Sequence, residues 1–254
     1  MKTQTRIVGV LICAIFIGLC TASDVSAAAF TVTGSVISGP PGNAKPVRKS
    51  VVTLYQAAVQ GFPVFNVHSV KTNARGNFTM RFRNKPQAGA VLYFVARGGN
   101  AGGGTNTAIE LIAILGEAPF PKRSFKATVN ELTTVAAAYV LSNFINTAFP
   151  LYPQCFKAET NICDNFPDFP FLTTAIGSIT NLVDVKTAGL GGVIANSEND
   201  PARLNTLANA LANCVRSSAG ASPCTNLFAS ANPSAAASTD TLGAIININR
   251  SSSC

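Results

Sequence analysis

Histidine is the first residue to look for in a hydrolytic or zinc-dependent site, and this chain of 254 residues has one, His68. A serine–histidine relay and a mononuclear zinc site both normally draw on imidazole. His68 lies between Val67 and Ser69 in an alternating strand pattern, where it reads as a half-buried polar side chain. Neither G-x-S-x-G nor H-E-x-x-H occurs. Ten acidic residues lie beyond residue 27, scattered and without a D-x-D-x-D calcium loop. Two of them could meet in space as a glycosidase pair, but their spacing favours no particular pair. The run Gly98-Gly99-Asn100-Ala101-Gly102-Gly103-Gly104-Thr105 follows an apolar stretch, as a phosphate loop does. Gly104 stands where such a loop carries its lysine, so the run reads as a strand connection. No catalytic residue, metal ligand or cofactor is expected.

Of seven cysteines, Cys155, Cys163, Cys214 and Cys224 form two close pairs. Four cysteines allow three connectivities, and the local one (Cys155 with Cys163, Cys214 with Cys224) is favoured. Each bridge would contribute roughly 2–3 kcal/mol in the chain-entropy model. Metal binding is the competing reading, but neither pair has C-x2-C spacing and His68 is far upstream. Cys254 stands apart, as a free thiol, an intermolecular partner or a sign that the chain stops early.

Charge carries the main functional hint. Residues 28–104 contain Lys71, Arg75, Arg81, Arg83 and five other basic residues, with no Asp or Glu. Carried to Val129, the balance is twelve basic against two acidic, a net +10, whereas 130–254 has five basic against eight acidic, or −3. A face built on Arg81, Arg83, Lys71 and Arg75 would attract anionic polymers, with an attraction that weakens as salt rises. Solubility, or docking of the basic part on the acidic part, would also explain the imbalance.

The elements that must position these residues change type near Val129. Before it, Thr31–Ile37, Ser50–Ala57, Asn66–Lys71 and Phe78–Arg83 alternate with period two, and Phe78, Met80 and Phe82 face one way. Ala90–Ala96 and Ile109–Leu115 are nearly continuous apolar runs, and Phe125–Val129 is a short seventh strand. A helix over Thr107–Leu115 is the rival local reading. Seven short strands predict an immunoglobulin-sized β-sandwich over 28–129. After it, Thr128…Glu131 predicts a capping box, and Leu132, Val135, Ala136 and Tyr139 recur at helical spacing. Leu172–Val183, a helix opened by Asp200-Pro201, and a last helix capped by Asp240 complete a small helical module over 130–254. Leu132-Thr133-Thr134, Leu172-Thr173-Thr174 and Leu204-Asn205-Thr206 hint at a helical repeat. The proline-rich segment Pro150–Pro170 between the first two helices reads as an ordered loop. The fold class expected is therefore α+β in two parts, a seven-stranded sandwich followed by a disulfide-containing all-α module.

At the start of the chain, Lys2 and Arg6 precede the apolar run Ile7–Leu19, and Val25-Ser26-Ala27-Ala28 supplies small residues. That order predicts a secretory signal over 1–27, too short for a membrane helix of about 20 apolar residues. No later apolar run is long enough to predict a span in the mature chain. Secreted or periplasmic placement in a bacterium follows, and with it anionic envelope polymers or acidic polysaccharide as partners rather than nucleic acid.

Val32-Thr33-Gly34-Ser35-Val36, Val51-Val52-Thr53-Leu54-Tyr55 and the turn Thr72-Asn73-Ala74-Arg75-Gly76-Asn77-Phe78 together resemble the carboxypeptidase regulatory-like, or transthyretin-like, β-sandwich. There a T-[DN]-x-x-G-x-F turn joins two strands, with glycine supplying φ > 0. The resemblance departs from that pattern in a longer segment between the second and third strands and in the glycine-rich insert. Val129–Ala136, Leu204–Asn209 and Cys214…Cys224 are similar to an uncharacterised region of secreted bacterial proteins that often continues into NHL-type propeller repeats, which do not follow here. The first resemblance implies support or binding, sometimes of carbohydrate, and no peptidase activity. The second implies envelope or extracellular placement. The expectation is a non-enzymatic envelope binding or structural module. An accessory segment of a larger secreted protein and a carboxylate-dependent hydrolase are the alternatives.

Overall fold

Alternation along the strands sets two sheets. The computed structural model describes residues 30–57, 65–82, 86, 89–117, 124–142, 169–196, 200–231 and 238–251. The expected signal segment, Arg83, Cys155, Cys163, Cys254 and most of the proline-rich segment lie outside those residues. The strands are β1 (Phe30–Ser38), β2 (Lys45–Pro46), β3 (Val51–Ala57), β4 (Phe65–Lys71), β5 (Asn77–Phe82), β6 (Val91–Arg97), β7 (Glu110–Glu117) and β8 (Ser124–Val129). In one sheet β1 pairs antiparallel with β2 and β5 and parallel with β8. The other runs β4-β3-β6-β7, antiparallel throughout. Gly76, in the turn between β4 and β5, adopts φ 74°, the left-handed conformation that glycine tolerates without steric cost. The stretch around Ile109–Leu115 is strand, and β2 is an addition to the strands expected.

Helices α1 (Glu131–Leu141), α2 (Phe169–Leu182), α3 (Asp200–Val215), α4 (Ser222–Ser230) and α5 (Thr241–Ser251) follow, with a two-stranded ribbon of β9 (Val183–Asp184) and β10 (Gly189–Leu190) after α2. Alternate residues of β6 and β7 divide between two apolar clusters. Leu92, Phe94, Leu111 and Ala113 join Val32, Phe78 and Met80 of the first sheet, whereas Tyr93, Val95, Ile112 and Ile114 join the helices. The near-continuous apolar runs of β6 and β7 thus reflect burial on both faces, one against a sheet and one against helices. At 129/130, where a division into two parts was expected, strand gives way to helix, and the helices share an apolar cluster with one face of β6 and β7.

The helices also close the open edge of the second sheet. In β7 the residues paired to β6 alternate with residues whose N–H and C=O point away. Ile112 N–H donates to the Thr134 hydroxyl at 3.0 Å, and the Thr133 hydroxyl donates to Ile112 C=O at 2.9 Å. Two residues earlier, Glu110 N–H donates to the Thr241 hydroxyl at 2.9 Å, which donates back to Glu110 C=O at 2.6 Å. Three threonines at the starts of α1 and α5 therefore stand in for a fifth strand.

The capping box is shifted from its expected place. Asn130 caps α1, accepting Thr133 N–H at 2.9 Å, and Thr133 accepts Asn130 N–H at 3.1 Å. Thr128 stays in β8 opposite Ser35, its hydroxyl donating to Lys186 C=O, and Glu131 turns into the interior. Asp240 caps α5 through Gly243 N–H at 2.7 Å. The short α4, with its early Pro223, has no counterpart among the expected helices. Cys214 and Cys224 are bridged, joining the end of α3 to α4, as local pairing requires. Buried Asn106 donates to Cys214 C=O at 2.8 Å, and a Cβ at Gly103 would lie 2.0 Å from Arg216 C=O. The glycine-rich run is the surface against which the α3–α4 corner docks.

Replacing Thr134 by valine keeps the shape and leaves Ile112 N–H buried without an acceptor. Thr134→Val is expected to lower unfolding stability by about 1–3 kcal/mol. Thr206→Val removes a hydroxyl that bonds only within its own exposed helix turn and should change stability by no more than about 0.5 kcal/mol. Urea denaturation of both variants checks the difference.

Candidate functional site

Three connections meet at one end of the sheets and enclose a groove of about 600 Å³. Arg48 and Lys49 come from the β2–β3 connection, Thr72, Asn73 and Ala74 from the β4–β5 turn, and Gly99, Asn100 and Thr105 from the β6–β7 connection. The backbone beneath is pinned. Arg48 and Asn100 exchange both N–H···O=C bonds at 2.9 Å, and Lys49 N–H donates to Thr72 C=O at 3.2 Å. The buried Thr72 hydroxyl accepts Ser50 N–H and donates to Val47 C=O. Asn73 accepts from Arg75 N–H and Asn77 N–H, which fixes the turn. Lys49 holds φ at 59°, a left-handed conformation that costs a residue with a Cβ roughly 1–2 kcal/mol. Arg48 and Lys49 form no ion pair with any described acidic residue.

This end gathers two of the expected basic residues and separates a third. Lys71 and Arg75, both exposed, flank the 72–74 segment that lines the groove. Arg81 is exposed on the outer face of the first sheet, opposite Thr31, and shares that face with exposed Lys126 on β8. Arg97 is neutralised: its guanidinium donates twice to Glu110, at 2.9 and 3.0 Å, and once to the Tyr55 hydroxyl. In the sequence, Arg48 and Lys49 are two of the nine basic residues between 28 and 104. Nothing local distinguishes them, because the groove exists only once three distant connections meet.

A second recess lies between the β1–β2 turn and α3. Its cavity of about 220 Å³ is lined by Pro40, Pro41, Leu190, Ala208 and the first residues of α1, with Asn205 and Asn209 at the rim. Glu131, 1% exposed, forms part of its wall. One carboxyl oxygen accepts Gly39 N–H at 2.8 Å, and the other meets no donor at hydrogen-bonding geometry. Ser38, whose hydroxyl accepts from Arg216 at 3.1 Å, is near enough to favour the anion, as is Arg216 itself. Burial outweighs both and raises the Glu131 pKa. Ala188, which lines the same cavity, is the second non-glycine residue with positive φ among the described residues; Lys49 is the first. The sequence signal for this acid is its position directly before Leu132–Ala138, a helical stretch buried on every side.

Among the described residues, no three His, Cys, Asp or Glu side chains gather as a metal site, and no helix is long and apolar enough to cross a membrane. No family model and no curated protein matches the chain. Solved structures give partial likenesses. The N-terminal domain of shaft pilin SpaA from Lactobacillus rhamnosus GG is 15% identical over 40% of this chain and 93% of that one, with a TM-score of 0.27. The longer shaft pilin SpaA is 14% identical over 40% and 50% of the two chains, at 0.28. A 9R-lipoxygenase from Cyanothece PCC8801 is 12% identical over 39% of this chain, which spans 16% of its length, at 0.26. Likenesses at this level decide neither fold nor function.

The raised carboxyls set a direction for pH dependence. Glu110, like Glu131, is raised by burial, which outweighs the lowering by Arg97. An acid with a higher pKa folded than unfolded binds its proton more tightly in the native state. Its contribution to stability is complete below the unfolded value, about 4.3, and is lost as pH rises through the folded value. On going from about pH 4 to about pH 7, the native chain should lose stability relative to Glu131→Gln, read as urea midpoints. A margin that instead grows in favour of the native chain would reverse the sign of the Glu131 shift.

Proposed function

We propose that the chain is an exported, non-enzymatic binding module whose contact surface is the basic groove. Its ligand is an anionic polymer of the cell envelope: lipopolysaccharide, teichoic acid or an acidic polysaccharide. In this reading the two sheets are an immunoglobulin- or prealbumin-type sandwich, and the groove lies among the connections at one end of it. Binding residues concentrate on such loops because a rigid scaffold positions them.

The observation that carries the proposal is a rigid groove lined by Arg48 and Lys49, flanked by Lys71 and Arg75, in a segment without acidic residues from 28 to 104. Strain held at Lys49 is a feature of ligand clamps and supports the same surface. Arg81 and Lys126 add positive potential on a separate face and steer the approach of a polyanion. The Cys214–Cys224 bridge fits an oxidising compartment, as the apolar N-terminal segment does.

Binding of the mature chain to teichoic acid, lipopolysaccharide and a neutral dextran across a salt series tests this. The anionic polymers should bind and dextran should not, with affinity falling as salt rises. Arg48→Ser with Lys49→Gly should weaken binding roughly 30-fold, at about 1 kcal/mol per cation. Lys49→Gly alone should bind more weakly while unfolding no earlier, because glycine relieves the backbone strain. Equal binding by the native chain and the double variant would remove the groove from the function.

A further inference from the structure

We propose that the cavity between the β1–β2 turn and α3 is a second binding site, which receives the neutral acetamido group of an N-acetylated amino sugar. It uses none of the residues of the basic groove, so either reading can fail without the other.

The cavity, at about 220 Å³, is smaller than the roughly 300–1,000 Å³ of sites for drug-sized ligands and suits a single substituent with part of its ring. Its apolar wall is Pro40 and Pro41 from the turn, Leu190 from β10 and Ala208 from α3, a surface on which a methyl group can rest. Asn205 and Asn209 also line the cavity, and they stand one turn apart on α3 and so share a face. Both are exposed, and the side chain of neither is hydrogen-bonded to a described residue. A carboxamide offers a carbonyl acceptor and an N–H donor, the complement of the N–H and C=O of an acetamido group.

Charge selects against other ligands. The lining contains no Lys, Arg or His. The nearest cation, Arg216, is engaged with the Ser38 hydroxyl and the Ser38 carbonyl. An anionic ligand would therefore enter without a counter-charge. An ammonium ligand would have to leave water for a small, largely apolar recess, which costs a charge far more than a neutral group. A neutral donor–acceptor group avoids both costs, since it brings no charge into the cavity. The surroundings also hold their shape. Asn130 donates to Gly39 C=O and to Ala188 C=O, which ties both sides of the recess to the start of α1.

Calorimetric titration of the mature chain with N-acetylglucosamine, glucosamine and glucose at neutral pH tests the site. N-acetylglucosamine should bind saturably, and the two sugars without an acetamido group about tenfold or more weaker. Asn209→Ala, at an exposed position, should weaken N-acetylglucosamine binding about tenfold with the thermal midpoint retained. Ala208→Phe should abolish it by filling the cavity, and Arg48→Ser with Lys49→Gly should leave it intact. The proposal is overturned if N-acetylglucosamine shows no saturable binding. Glucosamine binding as tightly, which would indicate a site for cations, overturns it too, as does undiminished binding by Asn209→Ala.

Discussion

A buried strand at the end of a sheet must find partners for its outward N–H and C=O groups, or each unsatisfied group costs about 1–3 kcal/mol. Strand β7 is such a strand, and Thr133, Thr134 and Thr241 supply the partners. Much follows from that arrangement. It brings the first turns of α1 and α5 onto the sheet edge, and α1 then lies with nine residues buried against β7 and the other helices. Burying α1 from its first turn takes Glu131 out of water and leaves it beside Gly39 and Arg216. Covering the helical face of β6 and β7 also explains why these strands can be apolar on both sides.

The two recesses sit where this framework gives way to connections. The basic groove is built from loops whose backbones bond to one another, so its cations project from a fixed base. The cavity beside α3 lies where the β1–β2 turn, α1 and the β9–β10 ribbon meet. Each contains a residue with a Cβ in left-handed conformation, Lys49 in one and Ala188 in the other. Such conformations persist only where the surroundings over-determine them, as the Lys49–Thr72 and Asn130–Ala188 hydrogen bonds do here.

Much of the secondary structure was legible in residue patterns. The alternation of Phe78, Met80 and Phe82, the helical spacing after Val129 and the local pairing of Cys214 with Cys224 all correspond to features of the fold. What sequence alone left open depends on distant partners. Thr128 fits a capping box, but its strand pairing with β1 and its bond to Lys186 keep it out of the helix, and Asn130 takes the role. Arg81 and Arg75 look alike as exposed charges, yet one lies on a sheet face and the other at the loop end, because five residues of turn and strand separate them. The threonines of Leu132-Thr133-Thr134 read as a repeat signature, whereas their work is on β7. Glu131 could be placed on a helix by spacing, but its burial follows from what packs around that helix.

Native-state hydrogen exchange at Ile112 and Glu110 tests most directly whether sheets and helices form one core held through the β7 edge. Both amides, together with those of α1, should exchange only through global unfolding, at the same free energy as the central strands β3 and β6. Exchange of Ile112, Glu110 and α1 through a lower-energy opening that leaves β3 and β6 protected would show that the helices are a separately stable layer, and that the threonine closure does not bind the two together.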